Sequence, residues 1–208
     1  MRYISKSKLF FLISVLTLIF ALTITYAKNV GNNISNAVLR LHIIANSNSA
    51  CDQDLKLCVR DRIISEAGEF FSNCQNLDDA IRITNERSQE IKKIAESEIQ
   101  DYGFDYPVKV SIGNFAFPTK SYGDVTLPSG RYTALRIEIG EAKGENWWCV
   151  MYPPLCFADG VLSVTDAAKT QLKSDLEQSE YNLITQKDSG AIPVELRFKI
   201  VEIFQNIF

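Results

Sequence analysis

Hydrophobic and polar positions divide the chain into stretches with different periods. From Leu9 to Ala27 nineteen consecutive residues carry no charge, after Arg2, Lys6 and Lys8 and before Lys28. As a helix they span roughly 28 Å, close to the hydrocarbon thickness of a bilayer. The run is apolar on all faces, unlike a core helix with one polar side. Thr25-Tyr26-Ala27 supplies small residues at −3 and −1 of a signal-peptidase site. Residues 1–27 therefore read as a signal peptide cleaved after Ala27 or, if uncleaved, a membrane anchor. The basic end orients the segment so that the rest of the chain lies outside the membrane. Residues 28–37, polar and rich in Asn, read as a short linker.

A single domain is expected over 38–208. Leu39, Leu41 and Ile43 alternate in 38–44 and predict a strand with those residues on one face. The ANSNS segment that follows is made of turn and cap formers, and Ser49 with Asp52 resembles a capping box. Leu55, Val59, Ile63, Ala67 and Phe71 recur every four residues and predict a helix over 50–71. Asn76 caps a second helix over 77–102, whose stripe includes Ile81, Ile91, Ile94, Ala95 and Ile99, with Gly103 as its stop. Alternation returns at Val108, Val110 and Ile112, then across 131–139, then in the aromatic stretch Trp147 to Tyr152 before Pro153-Pro154. FPTKSYG and LPSG read as turns.

The order β-α-α-β-β-β groups the helices instead of alternating them with strands. That favours an α+β fold, a mostly antiparallel sheet packed against two helices. Residues 158–192 are polar with a weak stripe at Ala168, Leu172 and Leu176, and read as a surface insertion, part helical and part loose. Val194, Leu196 and Phe198 alternate like a last strand, and Ile200 to Phe208 follow a helical stripe.

Charge narrows the function classes. Removing Arg2, Lys6 and Lys8 from the 22 basic residues leaves 19 against 25 acidic ones, a net −6 beyond the leader. Such a chain lacks the cationic surplus that nucleic acid binding exploits, so no nucleic-acid partner is expected. No Walker A, GxGxxG, GxSxG or HExxH motif occurs. The chain has one histidine and no CxxC pair, which disfavours a structural zinc site; no metal or cofactor and no small-molecule substrate is expected. A hydrolase would have to join Cys149 to His42, the sole histidine. The ordinary reading of His42 is a packed strand residue, so the chain is not read as an enzyme. Cys149 and Cys156 flank a stiff proline turn and form a candidate disulfide, with two buried free thiols as the alternative. Cys51 and Cys58, about 10 Å apart on one helix, cannot bond. The charged run Asp52, Gln53, Asp54, Lys56, Arg60, Asp61, Arg62 reads as a solvated helix face with an Asp52–Lys56 pair.

Two places invite a recognition role. Trp147 and Trp148 alternate in a strand, so one faces in and one out, and the outer ring could anchor a protein partner. The loop 45–52 carries more polar residues than a connector needs. Asn46, Asn48, Asp52 and Gln53, with Trp147 or Trp148, are the candidate partner-binding residues.

The blocks LRLHIIANSNSACDQDLKLCVRD (39–61), FPTKSYG (117–123), PSGRYTALRIEIGEAKGENWWCVMYPPLCF (128–157) and ELRFKIVEIF (195–204) resemble stage II sporulation protein R, a family of exported signalling proteins of endospore formers. Asn48 departs from the aspartate of that pattern. The resemblance implies export from the forespore into the space between forespore and mother-cell membranes. It implies as partner a membrane-embedded aspartic protease of the mother cell, which processes the precursor of sigma factor E. An extracytoplasmic Cys/His hydrolase and an envelope-binding module are the alternatives.

Overall fold

The computed structural model describes residues 6–71, 74–155 and 164–185. It is an α+β structure with a mixed four-stranded sheet, and α1 (Lys6–Ser35) stands at its N-terminus. Among the described residues α1 is the one helix long and apolar enough to cross a membrane. Phe10, Phe11 and Leu22 point outward from it, each more than half exposed. The stretch expected as a linker continues this helix to Ser35. Asn29, Gly31, Asn32 and Asn33 are poor helix formers, so packing holds this segment helical: Ile34, and Ala37 just beyond it, are buried in the domain core. Asn33 Nδ2 also donates to Glu180 Oε1 at 2.7 Å.

β1 (Leu39–Ile44) runs into α2 (Ala50–Ala67), which tightens into a 3-10 turn at Gly68–Phe71. Ser49 Oγ accepts the Asp52 amide at 3.2 Å, the expected N-terminal cap. The second helical stretch is two helices, α3 (Leu77–Glu86) and α4 (Ser88–Asp101). Asn76 caps α3 through Asp79 N at 2.9 Å. The interruption at Arg87 follows Thr84 and Asn85, whose side chains bond back to Ala80 O and Ile81 O. Such residues compete with the backbone ladder and bend a helix. The bonds Arg87 N to Ile83 O and Ile91 N to Arg87 O still bridge the junction.

Four strands then follow α4 before the last: β2 (Val108–Phe117), the short hairpin β3 (Lys120–Tyr122) and β4 (Val125–Leu127), and β5 (Gly130–Ile139); β6 (Asn146–Tyr152) completes the set. The main sheet has the order β2-β5-β1-β6. β2–β5 and β1–β6 are antiparallel, and β1–β5 is parallel. The parallel pair arises because α2, α3, α4 and β2 intervene between β1 and β5, a crossover long enough to return the chain in the same direction.

Register assigns the two sheet faces. Leu41, Ile43, Leu135, Ile137, Val110, Ile112, Cys149 and Trp147 share the face toward α2 and α4. Leu55, Val59 and Ile63 of α2 and Ile91, Ala95 and Ile99 of α4 are buried against it, the stripes that their spacing predicts. Arg40, His42, Arg136, Phe115, Phe117 and Trp148 share the other face. The β3–β4 hairpin lies over part of it, with Tyr122, Val125 and Leu127 buried.

α5 (Asp166–Asp175) and α6 (Gln178–Thr185) lie in the stretch expected as a surface insertion. They are part of the core instead: Ala168, Leu172 and Ile184 are buried, and α6 packs on β4. The expected C-terminal strand and helix at 194–208, and Cys156, lie outside the described residues.

Candidate functional site

Four of the residues singled out in the sequence lie at one end of the sheet, and most of their polar atoms are engaged inside the protein. The segment 45–49 crosses the turn between β5 and β6. Gly144 N donates to Ala45 O at 2.9 Å and Lys143 N to Asn46 O at 3.1 Å. Asn46 bridges both sides: its Oδ1 accepts Glu141 N at 2.9 Å and its Nδ2 donates to Asp52 Oδ2 at 2.9 Å. Gly140, at φ +58°, leaves room for that amide where a side chain would collide with it. Gln53 donates to Ser47 O at 2.8 Å and accepts from Lys56 Nζ at 2.6 Å. Asn48 is exposed at the tip, beside the exposed Ser49.

Of the charged run on α2 expected as a solvated face, Asp54 and Arg62 are exposed, but the stripe at 52, 56 and 60 is not. Asp52, Lys56 and Arg60, four apart, are all buried. Lys56 bonds Gln53 and Glu145 O rather than pairing with Asp52, and burial pushes its ammonium pKa down. Arg60 stacks over Trp147 at 4.3 Å and bonds Asp61 at 2.7 Å. Turn geometry, which a helical wheel does not contain, covers this side of α2.

Asp52 is held below the usual carboxylate range, chiefly by the Ser47 hydroxyl and further by Asn46. A depressed folded pKa stabilises the fold above the unfolded value of about 4, and that contribution is lost as pH falls through the folded pKa. His42 acts in the same direction at higher pH. Burial lowers its pKa, so its stabilising contribution is lost as pH falls below about 6.5. Asp52→Asn is therefore expected to be less stable than the wild type at pH 7 and to show a flatter loss of stability below pH ~4. Denaturant midpoints measured at several pH values check this; parallel curves would show that Asp52 does not titrate with folding.

The other face holds a cluster that the sequence reading missed. Arg40, fully buried, lies 4.1 Å from the centre of the Phe117 ring and 4.7 Å from that of Tyr132. Its Nη2 donates to the Tyr122 hydroxyl and its Nε to Cys149 O at 3.5 Å, while Nη1 is buried without a hydrogen bond. Next to it His42 stacks on Trp148 at 3.9 Å and meets Phe117 edge-on at 5.8 Å. His42 Nε2 donates to Asn146 Oδ1 at 2.6 Å. Burial pushes the Tyr122 and Tyr132 hydroxyls up, keeping them protonated donors. The signal for this cluster was in the quoted blocks, which contribute Arg40, His42, Phe117, Tyr122, Tyr132 and Trp148. Nothing in their spacing showed that the blocks meet.

Trp147 and Trp148 do lie on opposite faces, and both are half-buried. The Cys149–His42 pair that a hydrolase needs is not assembled. Cys149 pairs in register with Leu41 and shares its face, whereas His42 faces the other way. Cys149 is moreover disulfide-bonded, while Cys51, Cys58 and Cys74 are free. Among the described residues no three His, Cys, Asp or Glu side chains converge as metal ligands do.

A family model described as Stage II sporulation protein R (spore_II_R) matches residues 35–161. The chain is also 33% identical over 186 residues to Stage II sporulation protein R of Bacillus subtilis (strain 168), covering 84% of this chain and 83% of that one. No solved structure matches it.

Proposed function

From the premise that the chain belongs to the stage II sporulation protein R family, we propose that it is an exported sporulation signal. The forespore makes it and delivers it into the space between the forespore and mother-cell membranes. There it activates a membrane-embedded aspartic protease of the mother cell, which processes the precursor of sigma factor E. The observation that carries this reading is α1, whose outward-facing apolar surface precedes a folded domain and suits export or anchoring. The domain then acts as a ligand. Its contact includes the end of the sheet where Asn48 is exposed, with Asn46, Asp52 and Gln53 shaping the loop and Trp147 and Trp148 lending apolar surface. The Cys149 disulfide is assigned to Cys156, and peptide mapping of the non-reduced exported protein is expected to recover that link.

Reconstitution tests the function. Membranes containing the protease and its sigma precursor are expected to process the precursor when this chain is added and not otherwise. Replacing residues 1–27 by an unrelated signal peptide is expected to preserve activity, because that exchange keeps Val30 and Ile34 in place. A folded, exported chain that leaves the precursor intact would overturn the reading.

A further inference from the structure

The main sheet has two edges, and they differ. β6 is engaged by its own chain: Cys149 O accepts Arg40 Nε, and Val150 O accepts Leu155 N. β2 is the other edge, and among the described residues no strand pairs with its outer side. It is a ten-residue strand, Val108–Phe117, about 33 Å long, without proline and in unbroken register with β5. In an antiparallel edge strand every second residue turns its amide and carbonyl away from the neighbour. Proteins ordinarily blunt such an edge with bulges, prolines or several charges. β2 has one charged residue, Lys109, near its start.

The surroundings of this edge specify what it fits. On the helix side the apolar row Leu135, Ile137 is fully buried in β5, but its continuation Val110, Ile112 in β2 is half-buried. The apolar row therefore ends open at the edge. On the opposite side Lys109 is 76% exposed, and Arg136 lies behind it, its Nε buried without a hydrogen bond. Glu138 bonds both, Lys109 at 3.1 Å and Arg136 at 2.7 Å, so two cations share one carboxylate. Arg131, exposed beside the far end of β2, is a third cation, bonded to Asn114 at 2.7 Å. The edge is thus cationic in a domain that is acidic overall.

We infer that the outer edge of β2 takes an added strand from a partner protein, an extended segment alternating apolar and acidic residues. Its backbone completes the β2 ladder, its apolar side chains continue the Val110–Ile112 row, and its carboxylates meet Lys109 and Arg136. This rests on the reading of the chain as a protein ligand and extends the contact along the sheet. The Asn46 loop, the 140–145 turn and Lys109 lie at the same end, where Gly140 N bonds Pro107 O at 2.9 Å.

Two measurements on the full chain test it. Hydrogen exchange of the β2 amides is followed while a synthetic peptide of alternating valine and glutamate is added. Slowed exchange confined to β2 is expected, with an alternating valine–lysine peptide binding about tenfold more weakly. Lys109→Glu, an exposed substitution, is expected to reduce or reverse that preference. In the reconstituted protease membranes, a photoreactive residue at position 109 or 116 is expected to cross-link to the protease, and one at Tyr102 is not. Slowed exchange with the glutamate peptide in a chain that never triggers processing would sustain strand addition and sink the signalling role. Processing without cross-links from β2, or no slowing by the peptide, overturns the inference. So does protection of the outward-facing β2 amides in the ligand-free chain, whether constant or rising with concentration, because the chain itself or a second copy would then occupy the edge.

Discussion

Arg40→Ala is expected to lower stability by about 3–5 kcal/mol, enough to leave the domain marginal. The guanidinium is buried among Phe117, Tyr122 and Tyr132 and ties the hairpin residue Tyr122 to the sheet. Truncation would remove its stacking on three rings, take away the donor that the Tyr122 hydroxyl and Cys149 O accept from, and leave a cavity. Arg40→Met separates shape from charge. Among the described residues no carboxylate pairs with Arg40, and its Nη1 has no hydrogen bond, so the cation carries an uncompensated burial cost. Methionine keeps most of the volume without that cost, and this variant is expected to lie much closer to the wild type. Denaturant midpoints of the two variants check this. Equal losses would show that the charge itself holds the cluster.

Gly144→Ala is expected to cost about 2–4 kcal/mol, a fall in melting temperature of roughly 5–15 °C. An added Cβ would lie 2.7 Å from the Ser47 carbonyl carbon and 2.8 Å from Ala45 Cβ, besides overlapping the Ser47 oxygen. The backbone cannot slide away without breaking the bonds from Gly144 N to Ala45 O and from Lys143 N to Asn46 O. Because the displaced segment is the 45–49 loop, precursor processing is expected to fall even at temperatures where the variant is folded. Gly113→Ala is the control. Its Cβ would meet Phe115 at an ordinary 3.6 Å, and its melting temperature is expected to stay within a few degrees of the wild type. A Gly144→Ala protein that melts like the control would show that loop and turn can separate freely.

The elements that the sequence revealed are those with a strong local period or a local cap. The apolar run that becomes α1 was legible, as were the Leu55–Val59–Ile63 and Ile91–Ala95–Ile99 stripes, the Asn76 cap and the alternation of β1, β5 and β6. Even so, local reasoning overran wherever packing decided. The linker at 28–37 is helical because Ile34 finds a core to enter. The 164–185 stretch looked peripheral because its stripe is sparse, yet Leu172 and Ile184 close the core.

The candidate site divides in the same way. The density of Asn and Ser in 45–49 marked that loop as special, but whether its side chains point outward or inward depends on the 140–145 turn, some 95 residues away. Asn46 bonds across that gap, so its partner cannot be inferred from its neighbours. Arg40 and His42 occupy the polar positions of an alternating strand, which ordinarily face water. They are buried because the β3–β4 hairpin and the Phe117 and Trp148 rings cover them.

By itself the sequence determined the apolar leader, the order along the chain of the main-sheet strands and the apolar stripes of the helices packed on them and, through its motif blocks, the family. These depend on side chains within a turn or two of one another, where a 3.6- or 2-residue period is a physical signal. The β3–β4 hairpin, at segments expected as turns, was not legible in the sequence. Only the tertiary structure decided that β1 runs parallel to β5, that Arg40 lies in an aromatic box, that Asp52 and Lys56 are buried, and that β2 is an edge. Each of these depends on contacts between segments far apart in the chain, and such contacts are set by how whole elements pack, which no local period encodes.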